Sequence, residues 1–491
     1  MLILLLLLSI FTYYVVKKSV ADLTRTPTWM LWLVMMIPAF VLAFWSLSDR
    51  ADEPFPIAVL LGLFIVCPVL YWFLIQWGRI PQKAGQQTQS AQQSAAEAVR
   101  AAAEKAAIPP LEKEEEATIQ HCFPWSVFYL QNIEYRPQAL ICKGQLRSSP
   151  TVAYNTVREN IETHFGKRFL VVFQEGLNGK PFFALVPNPE RQKSQSSARP
   201  EKLARPGLAL GLFIATLFTT TAVGAFIAGI TEESLQADPR LFWQGLPYAV
   251  SLLLILGTHE FGHYMAAQRY KMKATLPYFI PIPFFLGTFG AFIQLRSPVP
   301  NRRALFDVGI AGPLAGLVVA VPLLIWGLAH SEVVTMPESA SLLNFEALDP
   351  GASIALALLS KLALGSQLGM DEAIHLHPVA VSGCLGLVVT ALNLMPVGQL
   401  DGGHIVHAMY GQRNGAIIGQ VCRFLVLGLT FVHSELFIWA ILLFFIPAID
   451  EPALNDVSEL DDKRDLWGLI ALTLLVLIVL PTPGPLKALL F

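Results

Sequence analysis

The amino-acid sequence predicts a polytopic α-helical membrane protein of about 8–10 spans with a small soluble α+β module. Three observations carry that expectation. Of the 491 residues, 54% are hydrophobic and only 14% are charged, against roughly 25% charged in soluble domains. Apolar runs near the roughly 20 residues that hydrocarbon demands recur along the chain. One stretch between two polar linkers alternates as strands do, around a helical stripe.

The apolar runs lie near residues 1–16, 29–48, 57–78, 206–230, 243–266, 307–329, 378–396, 414–432, 435–449 and 466–481. The first lacks the basic n-region and small-residue cleavage site of a secretory signal, and Lys17-Lys18 follow it, so it reads as an uncleaved anchor. No Arg- and Ser-rich transit peptide precedes it. A bacterial plasma or thylakoid membrane is therefore expected before a plastid one. The runs around His433-Ser434-Glu435 read as a tight hairpin or one interrupted element, with Arg423 snorkelling to the interface. Basic residues cluster in alternate loops: Lys17, Lys18 and Arg25; Arg79 and Lys83; Lys202 and Arg205; Arg269, Lys271 and Lys273. The intervening loops, including 330–377, are poor in basic residues, which puts the basic loops on the cytoplasmic or stromal side.

This divides the chain into N-terminal membrane helices (1–81), a polar linker (82–117), a soluble module (118–189), a second linker (190–205) and a second membrane region (206–491). Within the module, Val127 to Ile133 and Ala139 to Leu146 read as strands. Val152, Tyr154, Val157, Ile161 and Phe165 form a helical stripe. Phe169 to Gln174 and Phe182 to Val186 flank a turn at Leu177-Asn178-Gly179, giving the order β-β-α-β-β. His121 and His164 are isolated and read as structural. A docking or substrate-filtering role suits a module without visible chemistry, its docking partner unknown.

The net charge of −2 supplies no basic field for nucleic acid. Cys67, Cys122, Cys142, Cys384 and Cys422 show no C-x-x-C spacing, so neither a disulfide framework nor a cysteine metal site is expected.

The chemistry lies in His259-Glu260-Phe261-Gly262-His263, at the end of the apolar run Leu246 to Thr258. On a helix, residues i and i+4 share a face. Two imidazoles can hold one Zn²⁺ there, with the intervening carboxylate beside a water at the metal. Structural histidines on a surface helix are the plainer alternative, but ionisable groups at membrane depth call for a function. Catalytic zinc takes three protein ligands and keeps one position open. Asp401 is the best third donor: it follows the helix breakers Pro396 and Gly398 at the end of a span expected to finish on the same side. An N-cap role for Asp401 is the competing reading. His404 is a weaker rival ligand, read mainly as structural. His375 and His377 fall in the outer loop and read as solvated.

His259-Glu260-x-x-His263 together with Asn393-x-x-Pro396-x-x-x-x-Asp401-Gly402 resembles the site-2 protease family of intramembrane zinc metalloproteases, in its cyanobacterial and plastid branch. The resemblance covers roughly 206–450, without a PDZ module. It implies that 206–491 is a catalytic transmembrane metalloprotease domain in which His259, His263 and Asp401 bind one Zn²⁺ per chain. Glu260 would be the general base. Asn393 would position substrate or stabilise an oxyanion, or simply cap the helix break. Substrates would be membrane-anchored proteins, cut in or near their transmembrane segments.

Residues 276–296 carry prolines 277, 281 and 283 and glycines 287 and 290, which argue against a continuous span. A re-entrant or hairpin segment beside the site is expected, with a strand edge able to receive an unwound substrate. Gly309, Gly312, Pro313 and Gly316 read as packing residues of the next span. Rival functions are a membrane zinc protease acting on prenylated or soluble peptides, a polytopic transporter, and a metal-binding scaffold.

Overall fold

Proline, glycine and buried charge decide where the apolar runs stop being helices. The computed structural model describes residues 26–46, 113–136, 139–176, 178–188, 205–283, 286–337, 347–369, 372–430 and 436–491, with single positions elsewhere among the first 74. The expected runs 1–16 and 57–78, and most of both linkers, lie outside the described residues. The chain forms two units, Met1–Lys105 and Ala106–Phe491. The first contains helix α1 (Thr28–Ser46).

The second unit opens with α2 (Lys113–His121) and a sheet module: β1 (Phe128–Arg136), β2 (Ala139–Leu146), α3 (Pro150–Phe165), β3 (Phe169–Glu175) and β4 (Pro181–Pro187). All its strand pairs are antiparallel, in the order β1-β2-β4-β3. Period-two alternation points Phe169, Val171 and Phe173 inward from β3, and α3 lays Ala153, Tyr154, Val157 and Ile161 over them. Phe173 stacks on Phe183 with ring centroids 4.1 Å apart. Gly179 closes the β3–β4 turn at φ 69°, a conformation glycine adopts freely. Burial pushes the Cys122 thiol up to about 11 and the Cys142 thiol up to about 12, so both stay protonated. All five cysteines are free.

The membrane region begins with α4 (Pro206–Ile227) and continues, through a short helix and a 3-10 turn, into α5 (Leu246–Arg269). A hairpin of β5 (Tyr278–Pro281) and β6 (Thr288–Phe292) follows, then α6 (Arg302–Ala329). Next come β7 (Glu332–Thr335), α7 (Ile354–Leu364), β8 (Glu372–His375) and α8 (Pro378–Leu394). The last helices are α9 (Asp401–Tyr410), α10 (Gln412–Leu429), α11 (Phe437–Phe445), α12 (Asp462–Val479) and α13 (Gly484–Leu490). Helices α5, α6 and α8 form the centre of this region, where glycine replaces side chains at the crossings. A Cβ on Gly262 would run into the Ala311 carbonyl, and one on Gly383 into Leu324.

By length and composition, three helical stretches among the described residues suit a membrane crossing: Pro206–Ile227, Pro239–Arg269 and Arg302–Ala329. A fourth is added if α12 and α13, bent by 84°, act as one span. The protein is thus mostly helical and suited to a membrane, with fewer full-length spans among these residues than the apolar runs suggested. The reasons are local. Helix α8 has only 17 residues because Met395-Pro396 ends it, and α11 has only 9.

Three further expectations are corrected. Arg423 does not snorkel: it is buried on α10 and donates to the Ile446 carbonyl at 2.6 Å, capping the end of α11. The stretch 330–377 is not an open loop, because β7 pairs with β8 and α7 lies between them. His377 is half-buried there, and its Nδ1 accepts from the Val379 N–H at 3.2 Å to cap α8, whereas His375 is exposed.

The break after α8 is held by glycine. Gly398 has φ 51°, and a Cβ there would collide with the Pro447 carbonyl. Gly398→Ala is expected to cost about 1–3 kcal/mol, read as a lower thermal midpoint in detergent. Gly428→Ala, with nothing near its Cβ position, should not lower the midpoint.

Candidate metal centre

Helix α5 runs unbroken through the histidine pair, so His259 and His263 project from one face a turn apart. Both are buried, as is Glu260 between them. Their Nε2 atoms lie 3.1 Å apart. Asp401 arrives from the other side of the break, as the first residue of α9, with its Oδ2 3.4 Å from His259 Nε2 and 3.3 Å from His263 Nε2. No side chain caps α9, so the carboxylate faces the imidazoles rather than serving as an N-cap. Donors about 2.0–2.1 Å from a tetrahedral zinc sit about 3.3 Å from one another. The three separations match the edges of such a tetrahedron. The triad is also the group of His, Cys, Asp and Glu side chains, among the described residues, whose donor atoms converge closely enough for a metal.

The shell around the triad favours ligation. His263 Nδ1 donates to the Val308 carbonyl at 2.8 Å, which leaves the Nε2 lone pair for a metal. Gly312 on α6 lies flat against the His263 ring: a Cβ there would overlap the imidazole. Gly316, one turn on, leaves a Cβ in ordinary contact with His259 Nδ1 at 3.4 Å. The glycines read from sequence as packing residues therefore also shape the site, and Gly312 is the one the imidazole requires.

Asn393, in the last turn of α8, brings its Nδ2 to 3.2 Å from His259 Nε2. Glu260 and Asn393 face a common cavity of about 290 Å³, otherwise lined mainly by apolar side chains such as Leu252, Leu385 and Trp439. Thr288 of β6 lines it too. The hairpin is pinned at its turn, where Thr219 of α4 donates to the Gly287 carbonyl at 2.7 Å and Tyr248 of α5 to Leu286 at 3.0 Å. Neither anchor was visible in the sequence, because the hydroxyls meet carbonyls many residues away. His404 does not reach the donors; its Nδ1 bonds Asp450 at 2.9 Å. His121 and His164 lie on the exposed surface of the module.

Known proteins resemble this chain across the site. Residues 247–432 match the description "Peptidase family M50", the site-2 proteases. The M50 segment spans α5, the hairpin, α6 to α9 and α10, and so holds both ligand motifs. The chain is 28% identical over 368 residues to "Probable zinc metalloprotease EGY2, chloroplastic" of Arabidopsis thaliana, covering 74% of this chain and 63% of that protein. It is 36% identical over 239 residues to "Probable zinc metalloprotease EGY1, chloroplastic" of the same plant, covering 48% and 43%. It is 35% identical over 311 residues to the rice (Oryza sativa subsp. japonica) protein named EGY1, covering 59% and 53%. The chain thus spans less than two thirds of these relatives' own lengths. No solved structure matches.

The Gly312 contact gives a direct test of the M50 centre. Gly312→Ala is expected to weaken zinc affinity at least about tenfold by tilting the His263 ring, measured by competition against a chelator. Gly316→Ala should stay within about twofold, since its Cβ finds room.

Proposed function

We propose that the protein is an intramembrane zinc endopeptidase that cleaves membrane-anchored proteins in or near their transmembrane segments. One observation carries the reading: three donors spaced as tetrahedral edges, beside a buried carboxylate and an amide, on an apolar cavity. Names of relatives as zinc metalloproteases support it.

His259, His263 and Asp401 hold one zinc ion, which when bound polarises a carbonyl and lowers the pKa of water. Glu260 takes the proton of the attacking water on its carboxylate and hands it to the leaving amine. Asn393 Nδ2 donates to the oxygen that gains charge at the scissile carbon. The β5–β6 hairpin holds the substrate extended, because a helical segment hides its carbonyls in its own hydrogen bonds. The apolar cavity walls suit lipid-embedded sequence and exclude bulk water.

In the fuller reading the chain makes about 8–10 crossings, counting the shorter apolar helices and the N-terminal runs. Its site opens toward the cytoplasmic or stromal side, as the basic loops suggest. The membrane is a bacterial plasma, thylakoid or plastid one, and the chloroplastic relatives favour the last. The sheet module serves as a docking or filtering element for substrates.

Glu260→Gln should abolish cleavage of a membrane-anchored reporter while zinc binding and membrane insertion persist. Retained cleavage by that variant would remove the proposed base, and equal cleavage of a soluble reporter would remove the intramembrane substrate class. Asn393→Ala should lower kcat by about 10²–10³ with zinc content unchanged. A transporter would instead show solute flux independent of zinc.

A further inference from the structure

A second buried cluster lies one to two turns beyond Asp401 on α9. The His407 side chain is fully enclosed between two carboxylates: its Nδ1 lies 2.7 Å from Asp450 Oδ2, and its Nε2 lies 2.9 Å from Asp456 Oδ1. With an acceptor on each ring nitrogen, both nitrogens carry hydrogen and the ring is an imidazolium. His404 donates to the same Asp450 oxygen at 2.9 Å. Burying this set of charges costs desolvation that hydrophobic packing would avoid. What such a cluster secures is position.

The two aspartates bracket residues 450–456, an irregular strap between α11 and α12. That strap is stitched on both edges. On one edge, Leu454 N–H donates to Val299 O at 2.9 Å and Asn455 N–H to Pro300 O at 3.1 Å, at the entrance to α6. On the other, Phe173 N–H donates to Leu454 O at 2.7 Å and Asp456 N–H to Phe173 O at 2.9 Å. The strap thus extends the sheet of the module beyond β3. Val457 enters the module's own core, and Ser458 bonds Thr151 of α3 at 3.0 Å. At the α9 end, buried Arg302 donates to the His407 carbonyl at 3.3 Å. A continuous path of hydrogen bonds and packing therefore runs from the module's core through the strap and His407 to α9, whose first residue is Asp401.

We propose that His407 is a positioning residue, and that through Asp450, Asp456 and the strap the soluble module sets the placement of the Asp401 carboxylate. The inference rests on Asp401 being a metal ligand. Docking of a substrate's extramembrane part on the module would then be felt at the metal, as a shift of one ligand among three, rather than only as added binding affinity.

The test uses the full chain in detergent or nanodiscs, loaded with cobalt in place of zinc, with thermal midpoints checked for every variant. Val457→Ser loosens the strap from the module without touching α9, and His407→Gln removes the clamp. Each is expected to change the visible cobalt spectrum and to weaken metal affinity about 10–100-fold. Each should lower kcat with KM within about twofold. Together they should be non-additive, since they break one path. Asp456→Asn, which keeps an acceptor for His407, should hold affinity within about twofold, whereas Asp456→Ala, which removes that acceptor, stands in as the strap variant should Val457→Ser fail to fold. Spectrum and affinity unchanged in Val457→Ser, or in Asp456→Ala standing in for it, would overturn the coupling. So would full additivity with His407→Gln. Asp401→Asn is the separate control: unchanged metal affinity there would overturn the ligand reading itself.

Discussion

The structure depends on holding three side chains with the donor geometry of a metal site together inside an apolar helical core. His259, His263 and Asp401 come from two segments far apart in sequence, and each would be costly to bury alone. Their convergence explains much of the surroundings. Helix α6 presents glycine to the His263 ring and a carbonyl to its Nδ1. The break between α8 and α9 lets an acid enter where a continuous helix would place a backbone already paired with itself.

The carboxylate matters beyond geometry. Two neutral imidazoles leave the charge of a divalent ion uncompensated, and in a low-dielectric setting that deficit is felt strongly. Asp401 supplies the compensating charge within contact distance of both rings. Glu260 stays outside the donor set, on the cavity wall with Asn393. One acid thus faces the metal position and the other the space where a substrate would lie, the separation of roles that acid–base chemistry beside a metal needs.

Much of this was legible in the sequence, for reasons of range. Helical periodicity is local, so the i, i+4 placement of the histidines follows from spacing, and Pro396 with Gly398 marks a break by backbone sterics alone. The β-β-α-β-β order of the module followed from alternation and one Asn-Gly turn. What stayed hidden depends on partners distant in the chain. Gly312 reads as one small residue among several until the His263 ring lies against it. The role of His407 is hidden because Asp450 and Asp456 are more than 40 residues away. Arg423 looked as though it should reach for water because its acceptor, the Ile446 carbonyl, exists only once α11 ends there. Apolar runs outnumber the full-length helices among the described residues for a related reason: hydropathy alone does not register a helix that stops short.

The glycine inside the His-Glu-x-x-His motif has a directional consequence. Gly262 lets α5 and α6 approach until backbone meets backbone at Ala311, which seals that flank of the centre. Another flank, bounded by β6, α8 and α11, holds the cavity. Access to the three donors is therefore one-sided: anything that reaches them comes by way of the cavity between the hairpin and α11.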